Sequence, residues 1–229
     1  MRRSVLWLLC GFVIVVLAVP GWGKSRTQDS FTLPQPAYKG EISVERAIKE
    51  RRTVRAFRPD SLSITQLSQL LWAAYGITDE RKGFRAAPSA GALYPLDIYA
   101  VVGKGGVEVL APGVYRYHPA RHSLEVVGKG DRRKDVAGAA LWQMWIAKAP
   151  VIFVITAEYE RITRKYGERG IRYAHIEVGH VGQNIFLQAG TLGLGAGIVG
   201  AFRDASVIKA IGAPSEYVPL IIIPVGYKP

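Results

Sequence analysis

The stretch from Arg172 to Leu192 sets the terms for the whole fold. It follows a helical pattern in which Ile176, Val178, Val181, Ile185, Leu187 and Ala189 are apolar on more than one side. Such a helix cannot rest on a surface with one face in water, so other elements must enclose it. The natural partner is a sheet, and Val151–Thr156 is apolar almost throughout, as a strand covered on both faces is. At 229 residues the chain has room for one domain built around this pair, plus a short segment beside it.

The other periodicities fill in the fold. Ser43 heads a helix carrying Val44, Ala47 and Ile48 and ending near Arg52. Ser63 heads a second helix, with Ile64, Leu67, Leu70, Leu71 and Ala74 on one face and Gly76 as its stop. Residues 77–95, rich in Gly, Ala, Pro and Ser, read as a loop. Strands are expected at Asp97–Val102, Val114–Tyr117 and Leu124–Val127, the last two as a hairpin around His118-Pro119. Asp131 is expected to cap a helix reaching about Trp145. After Gly193 a glycine-rich turn leads to a helix from about Asp204 to Ile211, and a last strand, Val218–Val225, is broken by Pro219 and Pro224. Helices and strands mix without strict βαβ alternation, which makes the fold class α+β rather than doubly wound.

The first residues stand apart. Arg2 and Arg3 precede an apolar run from Val5 to Val19, followed by Pro20, Gly21, Trp22 and Gly23, the layout of a secretory signal. Segment 1–23 is expected to export the chain, to the periplasm or to the outer face of a membrane. It serves either as a cleaved signal peptide or as a retained N-terminal anchor, although the run is short for a full span. Arg2-Arg3-Ser4-Val5-Leu6 has the outline of a twin-arginine signal, while the strongly apolar run suits ordinary secretion. Residues 24–40, polar with Pro34 and Pro36, read as a linker or extended arm, leaving 41–229 as the folded domain.

Cys10 is the only cysteine, so residues 24–229 have none. This excludes disulfides, thiolate metal sites, iron–sulfur clusters and cysteine nucleophiles from the domain. The net charge of +12 falls to +10 without residues 1–23. Without a motif that interleaves the basic residues with aromatics, this charge reads as a solvated surface near anionic lipid, not as a nucleic-acid interface.

Candidate chemistry lies in four segments. Arg51-Arg52-Thr53-Val54-Arg55 places three guanidiniums and a hydroxyl where they suit a phosphate; the plainer reading is capping of the preceding helix. In Ala87-Pro88-Ser89-Ala90-Gly91-Ala92-Leu93-Tyr94-Pro95 small residues would let backbone approach a flat ring, with Ser89 as a polar contact, unless this is a simple surface loop. Gly195-Ala196-Gly197-Ile198-Val199-Gly200 satisfies GxGxxG, but it follows a helix, not a strand, and too little chain remains for a dinucleotide-binding unit. Its glycines are expected to let backbone pass close to something else, such as a flavin ring. His175, Glu177 and His180 suggest a metal site, yet positions two apart lie about 200° around a helix, so a structural or interface role is favoured and no metal is expected.

Taken together, these segments resemble the nitroreductase-like flavoprotein family, and within it the SagB/ThcOx-type dehydrogenases. The likeness covers residues 43–227 and follows the family's order. It runs from Arg51–Phe57 and Pro88–Pro95 to Lys165-Tyr166-Gly167, Arg172-Tyr173, Glu177-Val178-Gly179-His180, Gln183-Asn184, Gly193-Leu194-Gly195 and Pro224-Val225-Gly226-Tyr227. The resemblance implies a nitroreductase-like α+β fold with a central, mostly antiparallel sheet packed by helices. It also implies a homodimer with FMN at the subunit interface.

By the same resemblance, Arg51, Arg52, Thr53 and Arg55 hold the FMN phosphate and ring edge. Pro88, Ser89, Ala90 and Gly91 lie against the isoalloxazine from the partner chain, and Gly200 and Ala201 border the flavin N5 edge. Lys165 and Tyr166 match a proton-transfer pair used by azoline dehydrogenases of the family; the plainer reading is a solvated basic stretch. Ala92 and Tyr94 stand where classical nitroreductases often carry Asn and Gln, which moves the chain towards the SagB/ThcOx side. Lys228 alone remains after the last strand to reach the phosphate. The implied activity is two-electron oxidation or reduction of a small organic substrate by hydride transfer at flavin N5, with a non-catalytic flavin-binding or sensing module as the alternative.

Overall fold

The computed structural model describes residues 30–229, so segment 1–23, with Cys10, and the start of segment 24–40 lie outside the described residues. The chain forms β1 (Ser30–Thr32), α1 (Val44–Glu50), α2 (Ile64–Tyr75) and a small hairpin of β2 (Ile77–Asp79) and β3 (Phe84–Arg85). Three strands follow, β4 (Leu96–Val102), β5 (Gly113–His118) and β6 (Ser123–Lys129), then α3 (Arg133–Ala139) and β7 (Val151–Ala157). The chain then continues through α4 (Glu160–Tyr166), α5 (Arg169–Thr191), β8 (Leu194–Ala196), α6 (Asp204–Ile211) and β9 (Val218–Tyr227).

Seven strands make one antiparallel sheet in the order β1-β6-β5-β4-β7-β9-β8. Its centre is the β4–β7 pair, in register from Leu96↔Ala157 to Val102↔Val151 and buried at every residue. Side chains alternate across the pleat. Ile98, Ala100, Phe153 and Ile155 join Leu67, Leu71, Val181 and Ile185 of α2 and α5 in one core. Tyr99, Val101, Ile152 and Val154 join Val136, Val207 and Ile211 of α3 and α6 in the other. The α+β class with helices on both faces of an antiparallel sheet follows directly from this alternation.

Local chemistry sets the helix ends. Ser63 and Gln66 form a capping box at α2, satisfying two end donors reciprocally. Ser43 accepts from the Arg46 N–H at α1.

Several local expectations need correction. The helix expected from Asp131 to Trp145 stops at Ala139, because Leu141 and Trp142 adopt left-handed φ of 56° and 61°, which no α-helix tolerates. The turn after Gly193 contains the edge strand β8. Strand β9 runs unbroken through both prolines. Pro224 turns its carbonyl, and with it its missing donor, towards Gly197, one residue past the end of β8. Pro219 sits where the register with β7 shifts. Neither proline therefore interrupts a ladder that needs its N–H. Residues 77–95 include the β2–β3 hairpin, and α4, absent from the sequence reading, carries Lys165 and Tyr166. Within segment 24–40, Ser30–Thr32 pairs with β6, and Leu33 is buried.

Phe153 lies at the centre of the α5-side core with no exposed surface. Phe153→Ala should lower the unfolding free energy by about 3–5 kcal/mol, measured by chemical denaturation.

Candidate functional site

The arginine segment is positioned by the sheet edge. Thr53 makes a parallel bridge with Ala196 of β8, and the Val54 N–H donates to the Ala196 carbonyl at 2.8 Å. On the other side of β8, Leu194 faces Tyr227. The arginine segment and the end of β9, with Lys228 beyond it, therefore flank β8 on opposite sides. Arg51 lies over the Phe186 ring of α5 at 5.5 Å and Arg55 over Trp145 at 5.8 Å, contacts that hold a cation without neutralising it. Nη1 of Arg52 donates to the carbonyls of Lys49 and Arg51 at 2.9 and 2.8 Å, so this residue performs the helix-capping role that the sequence also allowed.

Among the described residues, no carboxylate forms an ion pair with Arg51, Arg52, Arg55 or Lys228. The Thr53 hydroxyl is exposed beside them. An uncompensated cluster of guanidinium forks with a neighbouring hydroxyl fits a phosphomonoester.

The GxGxxG segment serves this crossing. A Cβ on Gly195 would meet Val54 Cγ2 at 2.7 Å, and one on Gly197 would meet the Val54 carbonyl and the Trp145 ring at 2.7 Å. These two glycines admit the arginine segment rather than a flat ring, which corrects the sequence reading of them. Gly200 and Ala201 differ: both are exposed, and nothing lies within 4 Å of where a Gly200 Cβ would be.

A second constellation forms around the Ser89 loop. Gly91, Ala92 and Tyr94 take left-handed φ of 62°, 53° and 49°, and the Ser89 hydroxyl oxygen accepts from the Tyr94 N–H at 2.9 Å. Pro88 and Gly91 are exposed, and Ser89 and Ala90 half-buried. Helix α4 delivers Lys165 and Tyr166 to this loop. A Cβ on Gly91 would stand 2.7 Å from the Tyr166 hydroxyl and 3.2 Å from Lys165 Nζ. The Tyr166 ring packs edge-on against Tyr173 at 5.2 Å. Two segments far apart in sequence thus meet at one backbone position. No hydrogen bond, ion pair or ring contact among the described residues joins this loop to Arg51–Arg55.

Behind the loop lies a buried polar group that the sequence reading did not foresee. The Arg85 guanidinium sits in the corner formed by the Tyr75 and Tyr94 rings, which meet edge-on, 4.4 Å from each centroid. The Tyr75 hydroxyl donates to Glu177 Oε1 at 2.5 Å. Glu177 is only 1% exposed, and burial raises its carboxyl above the usual carboxylate range. Burial also pushes the Tyr75 phenol up, and the negative charge of Glu177 adds to this. The one signal in the sequence was an acid within an otherwise apolar stretch of α5; for Arg85 there was none.

His175 is exposed and bonded to the Tyr159 hydroxyl at 2.8 Å, and His180 is also exposed. No group of three or more potential metal ligands occurs among the described residues.

The nitroreductase family model matches residues 48–227. The chain belongs to the nitroreductase family. A provisionally named nitroreductase of Methanocaldococcus jannaschii is 50% identical over 188 residues, 82% of this chain and 92% of that protein. A solved nitroreductase-type structure from Ralstonia eutropha superposes with a TM-score of 0.75 at 25% identity, covering 87% of this chain and 90% of the other. A chain of the Escherichia coli microcin synthetase complex, solved with a truncated pro-microcin bound, superposes with a TM-score of 0.66 at 26% identity, covering 93% and 83%. The likeness to that complex supports the SagB-type branch of the family. The curated microcin- and trifolitoxin-processing relatives are longer, and the chain spans 61% or less of each.

Two consequences can be measured. Gly91→Ala places a methyl group against the Tyr166 hydroxyl at a left-handed φ and should cost about 1–3 kcal/mol of stability in denaturant titration. Glu177 carries a raised pKa in the folded chain, so its contribution to stability is complete below the unfolded value near 4.5. That contribution is lost as pH rises from there through the raised folded value. The stability of the wild type relative to Glu177→Gln, which keeps an acceptor for Tyr75, should therefore fall as pH rises through that window.

Proposed function

We propose that this member of the nitroreductase family is an FMN-dependent oxidoreductase of a small organic substrate, working as a homodimer. The observation that carries the reading is the convergence of Lys165 Nζ and the Tyr166 hydroxyl on Gly91. It puts a proton-transferring pair beside a loop whose small residues leave room for a flat ring. Arg51, Arg52, Thr53, Arg55 and Lys228 hold the phosphate through their uncompensated charge. Pro88, Ser89, Ala90 and Gly91 lie against the ring, and the exposed Gly200–Ala201 backbone borders its reactive edge. Bound FMN supplies two-electron chemistry through hydride transfer at N5. Lys165 takes or gives the accompanying proton at Nζ, and Tyr166 orients it.

The homodimer is supported by how the site is divided. The phosphate cluster and the Ser89 loop share no hydrogen bond, ion pair or ring contact among the described residues of one chain. Large apolar side chains on α1 and α5 stand open as well: Val44 is 59% exposed, Ile48 56% and Ile176 52%. Grouped apolar exposure is characteristic of a surface meant to be covered, and Val44 and Ile48 lie one turn apart on α1. A second copy covering it would bring the two parts of the site together.

Export, to the periplasm or to an outward-facing membrane anchor, belongs to the same proposal and rests on segment 1–23. Among the described residues no helix is long and apolar enough to cross a membrane.

Lys165→Ala should slow substrate-driven flavin reduction by about 10²-fold or more in anaerobic stopped flow, with FMN content unchanged. An unchanged rate removes Lys165 from the mechanism. A flavin that no organic donor or acceptor turns over favours the non-catalytic module instead.

A further inference from the structure

A cavity of about 450 Å³ opens between the start of β4, the β5–β6 hairpin and α4, and Arg85, Arg116, Arg121, Arg161 and Asp97 line it. None of the residues assigned above to FMN or to proton transfer takes part. Four guanidiniums and one carboxylate make a wall whose charges do not balance, and the pairing shows which of them remain free. Asp97 is shared: Oδ1 receives Arg116 Nη2 at 2.6 Å, and Oδ2 lies 2.8 Å from Arg161 Nη1. Glu158 takes the other end of Arg161 at 2.6 Å. These two arginines are therefore matched by two carboxylates, which hold their side chains in place.

Arg85 and Arg121 have no such match. Neither forms an ion pair among the described residues, and neither side chain makes a hydrogen bond to any of them. For Arg121, which is exposed, water suffices. Arg85 is different, because its Nε is sealed from solvent and has no partner. Its guanidinium is held in the corner formed by the nearly perpendicular rings of Tyr75 and Tyr94. Glu177 acts on it only through space, its own hydrogen bond going to Tyr75.

A buried charged donor without an acceptor is costly, and with Nε sealed the donors left for a ligand are the Nη groups. A guanidinium held by two rings, neither of which takes its hydrogen bonds, keeps its Nη donors free to receive an oxyanion. The cavity has the size of a small-molecule site.

We infer that this cavity binds a small molecule through a carboxylate or phosphate group received by Arg85 and Arg121. It is an anion site separate from the Arg51–Arg55 cluster. The oxyanion accepts from Arg85, Arg121 closes over it from the hairpin, and the Arg116–Asp97–Arg161 lattice forms the floor. Tyr94 both contacts the Arg85 guanidinium and belongs to the Ser89 loop, so the occupied cavity would also brace that loop.

The test is calorimetric titration of the FMN-saturated protein with benzoate and, separately, with inorganic phosphate. The expected result is saturable binding of at least one probe, one per chain, and the tighter probe identifies the oxyanion. Binding should weaken about tenfold or more in Arg85→Gln and a few-fold in Arg121→Gln, with FMN content unchanged in both. It should persist in Arg46→Gln, which removes an exposed surface charge outside this cavity. Should Arg85→Gln fail to fold, the exposed Arg121→Gln decides on its own. No binding of either probe up to about 10 mM, a range that covers weak small-ligand affinities, would overturn the inference. So would binding that Arg121→Gln leaves unchanged, or that Arg46→Gln weakens as much as Arg121→Gln does.

Discussion

The packing of α5 against the central pair of strands is the constraint from which the rest of the molecule follows. Val181, Ile185 and Ala189 lie on the face of the sheet formed by Ile98, Ala100, Phe153 and Ile155, and all are fully or almost fully buried. A 23-residue helix fixed in this way gives its other faces and its ends defined positions. Phe186 supports Arg51, Tyr173 supports Tyr166, and Glu177 sits beneath the Ser89 loop. Apolar burial of this extent outweighs any single polar contact at the periphery, so the chemistry is mounted on a frame that does not depend on it.

Charge is distributed over that frame by a second rule. Where arginines serve structure they are paired: Arg116 and Arg161 with Asp97 and Glu158, Arg133 with Asp131. Of those assigned to a ligand, all lack a carboxylate partner, and Arg51, Arg55 and Arg85 rest on aromatic rings. A ring holds a guanidinium in place without competing for its donors, whereas a carboxylate would saturate them. Pairing with a carboxylate, not contact with a ring, marks the architectural arginines, since Arg116 and Arg161 also lie over the Tyr217 ring.

The sequence revealed the elements whose signals are local and repeated. The caps Ser43 and Ser63, the helical stripe of α5, the apolar β7 and helix α6 all follow from spacing alone. Features decided by distant contacts were hidden. The early stop of α3 depends on two left-handed residues with ordinary side chains, Leu141 and Trp142. The continuity of β9 depends on which neighbour each proline faces. At the site, order along the chain pointed to the arginine segment, the Ser89 loop and Lys165-Tyr166, but nothing in that order says that the last two meet at Gly91. The role of Gly195 and Gly197 was misread because close approach was legible while the approaching group, Val54 with Trp145, was not. Arg85 carried no signal at all, since its neighbours Tyr75 and Tyr94 come together only in the fold.

The central claim is that two copies of this chain assemble a flavin site from parts that one copy keeps apart. Native mass spectrometry of the purified protein reconstituted with FMN tests it most directly. The expected species is a dimer carrying one FMN per chain, which loses the flavin when Arg51 and Arg55 are both replaced by Gln. A monomer that binds FMN with full occupancy, or a dimer that cannot be loaded with it, would contradict the account.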